Sequence, residues 1–140
     1  KKLEKTKKAT SFLIKKNNDA VPYSKMSMIG NASLVMFYLT SAMAENIYYI
    51  EEFDAIVIAD YKQETLFLHD IFCERIIEIE DLIATITTEG TERVVFGFTP
   101  NDTSLLEEKI HTPEDVLFIL NDKWGVFNDA RLQFPILSHA

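Results

Sequence analysis

The chain has 140 residues, 47% of them hydrophobic and 11% aromatic, which fits one globular domain and excludes an intrinsically disordered protein. Its apolar runs are too short to cross a bilayer, so no membrane-embedded segment is expected. The net charge of −8 combines a basic start, with seven lysines and one glutamate in residues 1–16, and a strongly acidic remainder. Because such an acidic body repels a phosphate backbone, nucleic acid is not an expected partner.

The N-terminal segment differs in character from the rest of the chain. Residues 1–19 are predicted to form a basic helix or arm, and residues 20–140 a single α/β domain. The lysines serve either as an anion-binding arm or as a solvated helix face. The chain starts with lysine rather than methionine, so it can be a piece of a longer protein. No signal peptide is recognisable, and the single cysteine, Cys73, excludes an internal disulfide. Both observations favour a cytoplasmic location.

The first buried run along the chain is Leu34–Leu39, with the sequence LVMFYL. Periodicity alone does not separate a central strand from a buried helix in so short a run. We predict a strand here, followed by a short helical turn at residues 41–45. A second strand is predicted at Ile47–Ile50, where two glutamates end the apolar run.

The centre of the chain is a predicted β-hairpin, Ala55–Phe72. Two runs of β-branched and aromatic residues flank the polar segment Tyr61–Glu64, which is a strong hairpin signal. Both faces of each arm are apolar, as is typical of strands inside a sheet that is covered on both sides. Strict alternation in the second arm places Asp70 on one face with Leu66, Leu68 and Phe72, and places Phe67, His69 and Ile71 on the other.

The segment after the hairpin predicts an amphipathic helix, Ile79–Thr88, which would lie on the sheet. Its apolar stripe consists of Ile79, Leu82, Ile83 and Ile86. Gly90 stands where a C-terminal cap is expected. The further predicted elements are a strand at Val94–Phe98, a short helix at Leu105–Ile110 and a last strand at Val116–Leu120. The predicted fold class is therefore α/β (α+β), with a mostly antiparallel central sheet and a few helices.

Asp70 is the candidate catalytic residue of this sequence. A carboxyl among apolar neighbours can have a raised pKa and act as an acid or a base. The alternative is a hydrogen-bonded or rim aspartate without a chemical role. His69 is a candidate ligand-binding residue, but successive side chains of a strand diverge, so His69 and Asp70 are not expected to act as a pair.

Tyr38 and Tyr48 are further candidates for ligand binding, because a buried phenol needs a hydrogen-bonding partner. Tyr38 belongs to a stretch rich in methionine and aromatic residues, which forms either a ligand pocket or ordinary core. The three histidines have no paired spacing, so no metal site is predicted. No Gly-x-Gly pattern occurs, so no phosphate-binding loop is predicted either.

Several aromatic-rich segments of the chain occur in a recognisable order. They are NASLVMFYLTSAMAENIYYIEEFDAIVIADY, TLFLHDIF, RVVFGFTP and FPILSHA. Over roughly residues 20–140, this pattern resembles the C-terminal region of a group of bacterial GNAT-type N-acetyltransferases. The resemblance implies a GNAT-like half or a degenerate GNAT domain. It also implies a transferase context with acetyl-CoA as cofactor, which the family binds through a splayed strand and a glycine-containing turn at a helix N-terminus.

The chain departs from this family at the cofactor turn. By order of elements the equivalent place is Cys73–Glu78, which contains no glycine and is followed by further acidic residues. Acetyl-CoA therefore enters by resemblance alone, and no cofactor-binding residue is predicted. The resemblance implies an accessory, substrate-side or interface domain of an acetyltransferase, with an upstream catalytic domain or a homodimer as partner. The alternative is a non-catalytic module of GNAT-like fold that binds a small molecule or another protein.

Overall fold

The computed structural model describes residues 1–3, 6–102, 104–106, 127, 132–133 and 135–138. The predicted strand at 116–120, most of the predicted helix at 105–110, and the side chains of His111 and His139 lie outside these residues. The described helices are α1 (Lys7–Asp19), α2 (Ala32–Thr40) and α3 (Ile79–Ile86). The described strands are β1 (Ile47–Ile50), β2 (Ala55–Lys62), β3 (Thr65–Phe72) and β4 (Arg93–Phe96), and short 3-10 turns occupy Glu51–Phe53 and Ile136–Ser138.

The four described strands form one mixed sheet in the order β1-β2-β3-β4. β1, β2 and β3 are antiparallel neighbours, whereas β4 runs parallel to β3. The parallel step requires a crossover, which α3 provides. The structure therefore confirms a mixed α and β architecture with a hairpin at its centre.

The sheet is covered on both faces, as the two apolar faces of the hairpin predict. On one face, the buried residues of α3 pack with Val57, Ala59, Leu66 and Leu68. On the other face, Leu13 of α1 and Val35 and Leu39 of α2 pack with Ile56 and Ile58. Among the described residues, no helix combines the length and the apolar character needed to cross a membrane.

The prediction of a strand at Leu34–Leu39 is wrong, because this run lies inside helix α2. Only Val35 and Leu39, four residues apart, are fully buried, while Phe37 is 64% exposed. An i, i+4 pair is the spacing of one helical face, but the apolar residues between them hide it in the sequence. Gly30, with φ of 73°, turns the chain just before the helix.

The predicted alternation in the second hairpin arm is also wrong, because β3 contains a β-bulge. Ile58 pairs with Asp70 while its neighbour Ala59 pairs with Leu68, so His69 is an extra residue in β3. Asp70 consequently shares a face with Ile58 and not with Leu68. The buried clusters show the same switch, since Phe72 packs with Ile56 and Ile58, whereas Leu66, Leu68 and Ile71 pack on the α3 side.

The helix and strand after the hairpin are confirmed with small shifts in their ends. α3 begins at Ile79 as predicted and ends at Ile86, two residues before the predicted end. The residue that caps it is Thr87, in extended conformation, rather than Gly90. β4 covers Arg93–Phe96, so Gly97 and Phe98 lie beyond the regular strand.

Candidate functional site

A cleft of about 460 Å³ with both polar and apolar walls opens beside the last residues of β3. Its walls come from the end of α1, from the connection between α1 and α2, and from residues 135–138. The polar residues of its lining are Asn17, Asn18, Ser24, Ser27, Asn31, Asp70 and Ser138. Asp70 is the single charged residue among the described residues that line it.

One wall of the cleft is held in place by backbone hydrogen bonds after α1. The N–H of Val21 donates to the carbonyl oxygen of Cys73 at 2.9 Å, which ties the connection to the end of β3. The N–H of Lys25 donates to the carbonyl oxygen of Thr99 at 2.8 Å, and Ser24 forms an antiparallel bridge with Pro100. The wall is therefore tied at one end to the residue directly after β3 and at the other end to the segment after β4.

The opposite wall joins the start of α2 to the end of the described chain. The side-chain amide of Asn31 donates to the hydroxyl oxygen of Ser138 at 3.2 Å. The N–H of Ile136 donates to the carbonyl oxygen of Gly97 at 3.3 Å, and Leu137 is completely buried in the core under α1 and α2. These contacts bring three segments that are distant in sequence to one site.

Asp70 lies where β3 continues beyond its pairing with β4. Its Oδ1 accepts a hydrogen bond from the N–H of Ile71 at 2.8 Å, the only hydrogen bond to this carboxyl among the described residues. Burial raises the pKa of Asp70 to about 7, and the Ile71 N–H opposes this shift. A carboxyl with this pKa can accept or release a proton near neutral pH, and its ionised form can pair with a cation.

His69 lies next to Asp70 but does not line the cleft. As the extra residue of the bulge, it packs against Gly97, where an added β-carbon would lie 3.1 Å from His69 Cα and 3.3 Å from Nδ1. Burial lowers the pKa of His69, with a smaller opposing effect from Asp60. The structure therefore places one of the two neighbouring candidates in the cleft and the other outside it.

Tyr38 and Tyr48 lie on opposite faces of the sheet. Tyr38 packs on the α1 and α2 side, with its ring 5.8 Å from that of Phe37. Tyr48 packs on the α3 side, with its ring 6.0 Å from that of Tyr61. Neither tyrosine belongs to the described lining of the cleft, so the structure does not bring the aromatic candidates together.

The amide and hydroxyl side chains of the cleft were missed by sequence reasoning. Asn17 and Asn18 occur in a segment whose composition indicates only the end of a helix, and Asn31 follows a glycine at a break. Ser138 lies more than a hundred residues from Asn31 along the chain, and no spacing rule joins them. The one available signal was Asp70, a carboxylate inside an apolar strand.

A second, acidic groove of about 530 Å³ lies at the start of α3. It includes the segment that corresponds by order to the family's cofactor turn. Glu78, Glu80 and Asp102 contribute carboxylates to it. The hydroxyl of Tyr23 accepts a hydrogen bond from the N–H of Ile77 at 3.1 Å and donates one to the carbonyl oxygen of Arg75 at 2.6 Å.

These residues do not fit the pyrophosphate of a CoA cofactor. A pyrophosphate needs free backbone N–H groups and positive charge, whereas Tyr23 already binds the Ile77 N–H and the groove carries carboxylates. No cluster of three or more metal-ligating side chains occurs in the described part of the chain. Comparison of the chain with protein-family models, with curated proteins and with solved structures finds no match.

Proposed function

We propose that this chain is a GNAT-related domain that binds a small, amine-bearing ligand in the cleft at Asp70. We also propose that it has no acetyl-CoA-binding turn at the start of α3. The observation that carries the proposal is a carboxyl with a pKa of about 7 in a cleft whose described lining contains no cation. A protonated amine supplies the missing positive charge. The amide and hydroxyl groups of the lining supply further hydrogen bonds to such a ligand.

The order of elements supports the relationship to the GNAT fold. Antiparallel strands are followed by a helix and then by a further strand, β4, which is the order of elements that the resemblance implies. β3 and β4 pair from Thr65 to Leu68 only, and β3 continues to Phe72 without β4. The two strands therefore part where the cleft begins, which is consistent with the splayed strand of that family.

The charge of the cleft supports an amine rather than an anion. An anionic ligand would meet the Asp70 carboxylate without a compensating cation in the described lining. An amine favours the ionised carboxylate and lowers the pKa of Asp70 on binding. Binding is therefore coupled to the release of a proton when the pH is below about 7.

The wider biological role of the chain is proposed from the family resemblance alone. As an accessory or substrate-side domain of a cytoplasmic acetyltransferase, this chain would present the amine to a catalytic domain or to a second copy. The test is the coding sequence before Lys1. A preceding segment of about 100 residues with a glycine-rich turn would support the accessory role, and a start codon directly before Lys1 would exclude an upstream domain.

The amine proposal is tested by titrating the 140-residue chain with diaminobutane and with butanediol, followed by NMR of the cleft amides. Diaminobutane should bind and butanediol should not, because only the amine pairs with the carboxylate. Raising the pH from 5.5 to 8 should strengthen amine binding by roughly tenfold or more, since Asp70 ionises in that range. Asp70→Asn should weaken binding by at least about tenfold and remove the pH dependence.

Asp60→Asn is the matched control for the loss of one carboxylate on the hairpin. Asp60 pairs with Lys62 at 3.1 Å and lies outside the described lining of the cleft, so its loss should leave amine binding unchanged. Equal binding of diaminobutane and butanediol, or equal affinities of the two variants, would contradict the proposal. Saturable binding of acetyl-CoA at the start of α3 would contradict the proposal that this segment is not a cofactor-binding site.

A further inference from the structure

The groove at the start of α3 has the shape and exposure of a docking surface. Its floor and rim include Ile76, whose side chain is 82% exposed, together with Ile77 and Ile79. Asn101, Asp102 and Ser104 form the facing side. Pro22 and Tyr23 separate this groove from the cleft at Asp70, because both residues line both cavities. The groove therefore combines an exposed apolar side chain, Ile76, with a polar and charged rim.

The charge around this groove has one sign. The carboxylate of Asp102 accepts a hydrogen bond from the N–H of Ser104 at 2.8 Å, which lowers its pKa and keeps it ionised. Glu78 and Glu80 are exposed on the α3 side. No lysine or arginine occurs among the described lining residues. The nearby guanidinium of Arg75 donates to the carbonyl oxygen of Glu52 at 3.2 Å and not to a groove carboxylate.

The geometry points to a docking groove for a basic peptide segment of a partner protein, at the place where the resemblance would put an anionic cofactor. A lysine-bearing segment complements the three carboxylates, and its apolar residues cover Ile76. A small cation would leave this isoleucine exposed to water. The inference goes beyond the amine site, since the groove and the cleft share only Pro22 and Tyr23 among described residues.

The test uses fluorescence anisotropy with a labelled peptide of alternating leucine and lysine, and a matched peptide of alternating leucine and glutamate. The lysine peptide should bind saturably and lose affinity as salt is raised, because exposed ion pairs are screened. The double substitution Glu78→Gln and Glu80→Gln should weaken binding about fivefold or more. Ile76→Ser should weaken it as well, without a change in net charge.

The control is the double substitution Glu89→Gln and Glu92→Gln, which removes the same charge from exposed positions outside the described groove lining. This variant should keep the wild-type affinity within about twofold. Equal losses for both double variants would overturn the proposal, because they indicate attraction to the acidic body as a whole. Self-association of the chain that buries Ile76, seen by sedimentation, or competition by acetyl-CoA for the lysine peptide would also overturn it. Asp70→Asn should leave peptide binding intact, which separates failure of this inference from failure of the amine proposal.

Discussion

Asp70 keeps its proton to much higher pH in the folded protein than in the unfolded chain, because burial of its carboxyl removes water that would solvate the charge. The pKa is about 7 in the fold, against an ordinary value of 3.8. Below pH 3.8, Asp70 is protonated in both the folded and the unfolded protein, so it adds no pH dependence to the free energy of unfolding. Between that pH and about 7 the unfolded chain ionises first, so stability falls as the pH rises, and above 7 the loss is complete.

Asp70→Asn should therefore stabilise the protein at pH 8 and have little effect at pH 4. The expected gain at pH 8 is about 2–4 kcal/mol, because the neutral amide carries no buried charge. Urea unfolding of both proteins across this pH range measures the difference directly. The control is Asp81→Asn. Because Asp81 is exposed, this substitution should change the free energy of unfolding by less than about 0.5 kcal/mol at both pH values. A gain for Asp70→Asn that is the same at pH 4 and pH 8 would show that the carboxyl does not titrate in this window.

At the scale of an element, the bulge in β3 depends on Gly97, the residue directly after the neighbouring strand β4. The N–H of Gly97 donates to the carbonyl oxygen of Leu68 at 2.7 Å, just before the extra residue His69. A β-carbon at position 97 would lie 3.1 Å from His69 Cα, tighter than ordinary van der Waals contact. The bulge and the close approach of the two strands therefore support each other.

Gly97→Ala should destabilise the protein by about 1–3 kcal/mol, because a backbone atom cannot give way as a flexible side chain can. Thermal or urea unfolding measures the loss. Gly90→Ala is the control, since an added β-carbon there meets no atom within 4 Å. His69→Ala in the Gly97→Ala background should recover only part of the loss, because the contact with His69 Cα persists. Full recovery would mean that the side chain of His69, and not the strand backbone, sets the limit.

The elements that the sequence predicted correctly are those with one clear period. The hairpin has two β-branched runs around a polar turn, and α3 has a single apolar stripe, so local pattern and burial agree. The run at Leu34–Leu39 is apolar all round, and no period identifies its helix. The bulge at His69 leaves no mark in the composition of β3, yet it decides which face Asp70 occupies. Asp70 could be singled out from sequence, whereas its amide neighbours could not, because their proximity depends on long-range packing.

At the scale of the whole molecule, α1 is tied to the sheet by a buried lysine. The side chain of Lys16 is 3% exposed, and its Nζ lies 2.7 Å from Asp54 Oδ2 and 3.0 Å from Glu74 Oε1. Asp54 precedes β2 and Glu74 follows β3, so one cation joins a helix to both arms of the hairpin. Tyr49 completes the arrangement, because its hydroxyl donates to Asp54 Oδ1 at 2.8 Å.

Lys15 offers a matched comparison for the ion pairs of Lys16. It is the preceding residue, it also contacts Glu74 Oε1 at 3.0 Å, and its side chain is 61% exposed. Exposed ion pairs contribute little, whereas removal of the buried Lys16 cation takes away the lysine partner of Asp54 and leaves Glu74 with Lys15 alone. Lys16→Ala should therefore cost about 2–3 kcal/mol of unfolding free energy, and Lys15→Ala less than about 1 kcal/mol.

The ion pairs of Lys16 also lie close to the cleft in sequence, because Asn17 and Asn18 directly follow Lys16 and line the cleft. Lys16→Ala should increase hydrogen exchange of the α1 amides and weaken diaminobutane binding, since one wall of the cleft loses its anchor. Lys15→Ala should leave both properties near the wild-type values. If Lys16→Ala lowers stability without any change in α1 exchange or in amine binding, the lysine stabilises the fold but does not position the cleft. If both variants lose equal stability, the buried position of Lys16 adds nothing to its ion pairs.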